Sequence, residues 1–90
     1  MKEFYKVCKT TKQVNSFLRL IGIGEALDND TTAEEFKTML KKYRDDSVQY
    51  EFTAPNGSYY DVTIYDDLTV HVIKYSKVEY LKRLKEQENG

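Results

Sequence analysis

A change in the spacing of apolar residues near position 47 constrains the fold of this chain more than any other feature. Beyond it, apolar and polar side chains alternate over residues 48–53, 59–65 and 68–75. Alternation with a period of two is the pattern of a strand that buries one face. Pro55-Asn56-Gly57 and Asp66-Asp67 separate these stretches and are typical of tight turns. The sequence therefore predicts a three-stranded antiparallel β-meander.

Three helices are predicted from capping boxes, in which a Ser or Thr and a residue three positions later bond each other's backbone N–H groups. Thr10 and Gln13 start a helix at 11–21. A second helix, at 32–43, starts with either Thr31 and Glu34 or Thr32 and Glu35, and a third runs from Ser76 and Glu79 to about residue 87. Their expected apolar stripes are, in order, Val14, Phe17, Leu18 and Ile21; Phe36, Met39, Leu40 and Tyr43; and Val78, Leu81 and Leu84.

Residues 3–9 fit two patterns. As a strand they place Tyr5 and Val7 on one face and Phe4 and Cys8 on the other, whereas the helical spacing of 11–21 also extends back through them. The capping box at Thr10 favours a strand. The predicted order is β-α-α-β-β-β-α, an α+β fold over residues 1–90 in one domain, with the helices covering one sheet face. That inner face is expected to carry Val48, Tyr50, Phe52, Tyr60, Val62, Ile64, Leu68, Val70 and Val72.

Charge excludes two classes of protein. Fourteen Lys and Arg face fifteen Asp and Glu, for a net charge of −1, so the chain is neither a globally basic nucleic-acid binder nor a globally acidic DNA mimic. The near balance hides an asymmetry. Residues 1–23 hold five basic residues and one acid, while residues 44–67 hold one basic residue and six acids.

Catalytic and metal-binding residues are scarce. Cys8 is the only cysteine and His71 the only histidine, so they form the one possible pair of a thiol nucleophile with an imidazole base. The favoured interpretation is instead a half-buried thiol and a surface imidazole. Asp28-Asn29-Asp30 lacks the Gly and Glu of a calcium loop. We expect no enzyme, metal or cofactor. A lone thiol, with no signal-peptide or membrane-spanning run, predicts a cytoplasmic protein.

The outward sheet face is the leading candidate for a binding surface. Alternation and the second turn place three tyrosines and four carboxylates on it or at its rim: Glu51, Tyr59, Asp61, Tyr65, Asp66, Asp67 and Tyr75. Tyrosine is enriched at protein interfaces, and the carboxylates suit a larger partner protein with a basic surface. Two alternatives stay open, since Tyr and Thr are also good strand formers, and the first strand or first helix could cover part of this face.

Nucleic acid is the alternative partner. It would contact the basic N-terminal residues Lys2, Lys6, Lys9, Lys12 and Arg19, or the last helix. The α-β-β-β-α order from about residue 32 resembles that of double-stranded RNA-binding domains. However, the last helix begins Lys77-Val78-Glu79 and lacks the basic cluster of that family.

In size, charge layout and scarcity of catalytic residues, the chain resembles the small accessory proteins of phages and mobile elements, which include anti-CRISPR proteins. The resemblance covers no motif. It implies a non-enzymatic inhibitor that covers a basic surface on a host nucleic-acid-binding protein or defence nuclease.

Overall fold

The computed structural model describes residues 1–89 of the chain as one four-stranded sheet with three helices. The elements are β1 (Lys2–Lys6), α1 (Thr11–Leu20), α2 (Ala33–Lys42), β2 (Ser47–Thr53), β3 (Tyr59–Tyr65), β4 (Val70–Tyr75) and α3 (Lys77–Asn89). All neighbouring strands are antiparallel, in the spatial order β1-β4-β3-β2. The α+β fold and the element order are confirmed, and the N-terminal segment is a strand at the sheet edge.

The core lies between the inner sheet face and the helices α1 and α2. Val62, Ile64, Val70 and Val72 are fully buried there. They pack against these side chains of the helices and the β1–α1 link: Cys8, Val14, Leu18, Phe36 and Leu40. The inner face is therefore the one that alternation predicts. Met39 and Tyr43, expected on the α2 stripe, are instead exposed, because α2 turns only Ala33, Phe36 and Leu40 toward the sheet.

Capping chemistry starts each helix where the sequence predicts. Thr10 Oγ1 accepts from Gln13 N–H at the start of α1, and Ser76 and Glu79 bond each other reciprocally before α3. At α2 the choice falls on Thr32 with Glu35, since Thr32 Oγ1 accepts from Glu35 N–H at 3.1 Å. Each bond satisfies an N–H group that the helix itself leaves unpaired.

The third helix lies on the opposite face from the one predicted. It packs on the outer face of the sheet, where Tyr80 stacks on Tyr59. Val78, Leu81 and Leu84, the predicted anchors, are all exposed. Aromatic stacking on the sheet outweighs burial of this sparse aliphatic stripe. No helix of residues 1–89 is long and apolar enough to cross a membrane.

The two hairpin loops of the meander, residues 55–57 and 66–68, share one backbone geometry. In each, the third loop residue donates its N–H to the residue before the loop, and the flanking residues bond each other, at 2.8–2.9 Å. Such a loop places its third residue at positive φ. Gly57 has φ +89°, as expected, but Leu68 occupies the same position at φ +69° and is fully buried.

A buried asparagine fixes the long α1–α2 connection. Asn15 Oδ1 accepts from the N–H groups of Ala26 and Leu27, both at 3.0 Å. Its amide donates to Leu27 C=O and Asn29 Oδ1, both at 2.8 Å. Because all of its polar atoms are paired, a fully buried Asn15 is compatible with the apolar side chains around it.

Candidate functional site

The register of the sheet arranges the outer face in rows that run across the strands. One row contains Tyr5, His71, Thr63 and Gln49, and the next contains Glu3, Ile73, Asp61 and Glu51. A third row, nearer α3, contains Tyr75, Tyr59 and Thr53. No lysine or arginine occupies an outward position of the four strands, so the strands themselves present only negative charge on this side.

Helix α3 covers the tyrosine row. The rings of Tyr59 and Tyr80 stack with centroids 4.1 Å apart and planes 10° apart. The Arg83 guanidinium lies 5.0 Å from the centre of the Tyr75 ring. Tyr59 is only 6% exposed. Its expected role as a contact for a partner is therefore corrected: it faces outward, as alternation requires, but it holds α3 to the sheet. Tyr75 stays half-buried beside it.

The environment of Tyr59 keeps its phenol neutral. Burial raises its pKa above the ordinary value of 10, and the nearby Glu51 and Asp61 carboxylates raise it further. A phenolate here would lack solvation and would face two negative charges. This tyrosine thus contributes packing and polarity to the site, but no charge.

The part of the outer face that α3 leaves uncovered is called the bare face and comprises Glu3, Tyr5, Gln49, Glu51, Asp61, Thr63, His71 and Ile73. Tyr5 is 66% exposed, and its ring meets that of His71 edge-on, with the ring centroids 6.4 Å apart. His71 Nε2 lies 3.6 Å from Glu3 Oε2. Glu51 and Asp61 are directly paired across β2 and β3. The arrangement offers exposed aromatic area beside three carboxylates.

The turn after β3 borders the bare face at the end away from α3. Tyr65 is exposed, and the Asp66 N–H donates to Asp46 C=O at 3.0 Å. Asp67 Oδ1 accepts from the Thr69 N–H at 2.9 Å, and this bond lowers the pKa of its carboxyl. The carboxylate of Asp67, predicted as a partner contact, therefore also stabilises the turn.

The basic residues of the N-terminal segment divide among three places. Lys6, Lys9 and Lys12 line one groove beside α1. Lys2 lies at the other end of β1, paired in register with Lys74. Arg19 forms an ion pair with Glu25. The five predicted nucleic-acid contacts thus do not form one continuous basic strip.

A catalytic Cys8–His71 pair does not form. Cys8 is buried in the core on the inner side of the sheet, where burial raises the pKa of its thiol. His71 is on the outer face, so the sheet separates the two side chains. Within residues 1–89, Cys, His, Asp and Glu side chains do not gather into a group of three or more that could hold a metal ion.

Sequence reasoning missed the contribution of Tyr80 and Arg83. Their spacing of three places both on one side of α3, together with Leu84 and Gln87 around a small cavity against Glu51 and Tyr59. The signal was a second helical stripe at 80, 83, 84 and 87, which is less apolar than the stripe at 78, 81 and 84. Tyr5 and Glu3 were also missed, because their place on the outer face depends on the pairing of β1 with β4, which the spacing within residues 3–9 does not contain.

Comparisons with protein-family models, with curated proteins and with solved structures found no match to this chain.

Proposed function

We propose that this protein is a non-enzymatic binding module whose bare face contacts a basic surface on a larger protein. The observation that carries the proposal is the direct cross-strand pairing of Glu51 with Asp61 on an open sheet face that has no strand lysine or arginine. Like charges placed opposite each other in a sheet destabilise it by a few tenths of a kcal/mol, roughly up to 1. Arg83 of α3 lines the cavity beside Glu51, and a partner that supplies further positive charge on the open side of the Glu51–Asp61 pair would reduce that cost.

The aromatic side chains support contact with a protein. Tyr5 is two-thirds exposed beside His71, and Tyr65 is exposed at the rim. Tyrosine provides contact area at a low cost in conformational entropy, and its hydroxyl bonds polar groups at the edge of an interface. Carboxylates around such residues would steer a basic partner and speed its association, with a rate that falls as salt rises.

The size of the bare face indicates that the rim takes part. With strands about 4.8 Å apart and about 3.3 Å per residue, the Cα positions of the bare face span roughly 14 Å by 7 Å. A stable interface buries about 800 Å² on each partner. The contact would therefore extend beyond the bare face over Tyr65, Asp66 and Asp67 at its rim.

A basic groove that binds nucleic acid is the kind of partner surface that suits these charges. Occupation of such a groove would inhibit the partner by competition, in keeping with the resemblance to phage and mobile-element accessory proteins. Cys8 and His71 lie on opposite sides of the sheet, which supports inhibition by contact rather than by catalysis. We place this inhibition in the cytoplasm because the chain has a single thiol.

Two substitutions with matched controls test the proposal. Glu51→Lys reverses charge on the bare face and replaces a like-charge pair with a favourable one, so the fold should be retained. Tyr5→Ser removes exposed aromatic area. The controls are Glu34→Lys, at an exposed position of α2, and Tyr43→Ser, at a tyrosine that is 68% exposed.

The readout is quantitative affinity capture from a lysate of the source cells, followed by calorimetry with the captured protein. We expect Glu51→Lys and Tyr5→Ser each to weaken binding by about tenfold, while both controls bind like the parent. Tenfold corresponds to about 1.4 kcal/mol. Equal binding by all five proteins would show that the bare face is not the contact surface.

A further inference from the structure

A second surface of opposite charge lies on the helix side of the sheet, where the end of β1 meets α1. It is a groove of about 490 Å³, called the lysine groove, lined by Lys6, Val7, Lys9, Lys12, Gln13, Ser16, Phe17 and Leu20. None of the residues of the bare face lines it. The two surfaces can therefore be tested independently.

Val7, Phe17 and Leu20 are the apolar side chains that line the lysine groove, and Val7 and Leu20 are open to solvent. Leu20 is 86% exposed and Val7 is 63% exposed, with half-buried Phe17 near them. Phe17 and Leu20 are three residues apart on α1, so they lie on the same side of the helix. Apolar side chains gathered in a concave surface are typical of a groove that receives the apolar side chains of another molecule.

The charged side chains of the lysine groove are all positive. Lys6, Lys9 and Lys12 line the groove together, and among residues 1–89 no acidic side chain lines it. None of the three lysines forms an ion pair with another group of residues 1–89. The first turn of α1 carries no acid, whereas α2 and α3 each have one or more there. The groove thus combines three free ammonium groups with the positive end of a helix dipole.

We propose that the lysine groove binds an acidic amphipathic segment of a partner protein. Its carboxylates would pair with the three lysines, while its Leu or Phe side chains would cover Val7 and Leu20. This is a docking mode in which charge sets orientation and buried apolar area supplies affinity. The proposal concerns a different surface from the bare face and does not depend on that function.

The composition of the groove favours a peptide over nucleic acid. Single strands bind to platforms of aromatic rings, but the exposed apolar side chains of this groove are Val7 and Leu20. Binding of a duplex uses many phosphate contacts, and Lys2 and Arg19 lie outside this groove. Nucleic acid is therefore the competing outcome that the experiment has to separate.

The test uses fluorescence anisotropy of labelled probes with the full chain. The main probe is an amphipathic peptide with Glu on one side and Leu on the other. One companion peptide replaces Glu with Gln, and another replaces Leu with Ser. A labelled oligothymidylate and a short DNA duplex represent nucleic acid.

Each variant of the lysine groove has a control that makes the same change of side chain at exposed residues elsewhere. Lys9→Glu with Lys12→Glu reverses the charge of two side chains that line the groove, and Leu20→Ser removes an exposed apolar side chain from it. Lys82→Glu with Lys85→Glu and Leu81→Ser make the same changes on the exposed surface of α3. Circular dichroism establishes that each variant is folded.

We expect the Glu/Leu peptide to bind the parent, and to bind the Lys9/Lys12 double variant at least tenfold more weakly. Leu20→Ser should weaken it by about threefold to tenfold, since roughly 1 kcal/mol of apolar contact is lost. The α3 variants should bind like the parent, and both companion peptides should bind more weakly. The proposal is overturned by no peptide binding at millimolar concentration, by binding that Leu20→Ser leaves unchanged, or by nucleic acid binding more tightly than the peptide.

Discussion

Substitution of Leu68 by alanine and by glycine tests the backbone geometry of the second hairpin loop. Leu68 has φ +69°, in the left-handed region that costs an L-residue roughly 1–2 kcal/mol. The equivalent position of the first loop is Gly57, against which an added Cβ would meet Lys77 Cδ at 2.8 Å. At Leu68 the side chain instead enters the core, so burial of the leucine offsets the backbone strain.

The magnitudes follow from burial and φ. Leu68 is fully buried, so Leu68→Ala should cost about 3 kcal/mol. Replacement of that alanine by glycine lowers the free energy of unfolding by about 0.8 kcal/mol through the lost burial of a methyl group and by about 0.5–1 kcal/mol through the greater flexibility of the unfolded chain. Relief of strain at positive φ returns about 1–2 kcal/mol. The alanine and glycine variants should therefore be about equally stable.

Val70 provides the control, because it is fully buried two residues away without positive φ. There Gly should be less stable than Ala by about 1.5 kcal/mol. Urea unfolding followed by tyrosine fluorescence and circular dichroism gives both differences, since the chain has no tryptophan. With a total stability of roughly 5–13 kcal/mol for this length, all four variants stay folded in water. A glycine penalty at Leu68 as large as that at Val70 would refute the reasoning.

Three further changes test other parts of the structure. Asn15→Ala removes a fully buried side chain and leaves the N–H groups of Ala26 and Leu27 without their acceptor, and urea unfolding should show a loss of about 2–4 kcal/mol; a loss below about 1 would contradict the network. Arg44 closes α2 at φ +58°, so Arg44→Gly should stabilise by about 1 kcal/mol and raise the Tm by about 4–8 °C, and an unchanged Tm would contradict strain there. Burial raises the pKa of Tyr59, so the neutral Tyr59 contributes to the free energy of unfolding below about pH 10, and this contribution is lost as the unfolded chain ionises at higher pH. In Tyr59→Phe the urea midpoint should therefore fall less between about pH 9 and about pH 11 than in the parent, and equal falls would contradict the shift.

Sequence patterns that span only a few residues predict most of the helices and strands. The period of two predicts β2, β3 and β4 together with the face that each buries, and the capping boxes at Thr10 and Ser76 predict where α1 and α3 begin. Each of these signals involves residues only a few positions apart. The strand at Lys2–Lys6 was harder, because five residues fit either period until the cap at Thr10 is considered.

The face on which α3 packs could not be obtained in the same way. One stripe of the helix carries Val78 and Leu81, while the other carries Tyr80 and Arg83. Hydropathy favours the first stripe. The choice depends on Tyr59 and Tyr75, which β3 and β4 place side by side, and on their fit to Tyr80 and Arg83 across the sheet. This is information about tertiary packing, which the spacing within one element does not contain.

The position of α3 also connects the fold to the proposed function. Against the inner face, α3 would leave Tyr59 and Tyr75 open and the whole outer face flat. On the outer face it covers that tyrosine row and forms a wall beside Glu51, so a partner can reach the carboxylates only from the remaining sides. The footprint is thereby directed toward Tyr5 and the turn at Tyr65. The unfavourable Glu51–Asp61 pair then lies where the wall meets the bare face, and a basic side chain entering there would contact both carboxylates at once.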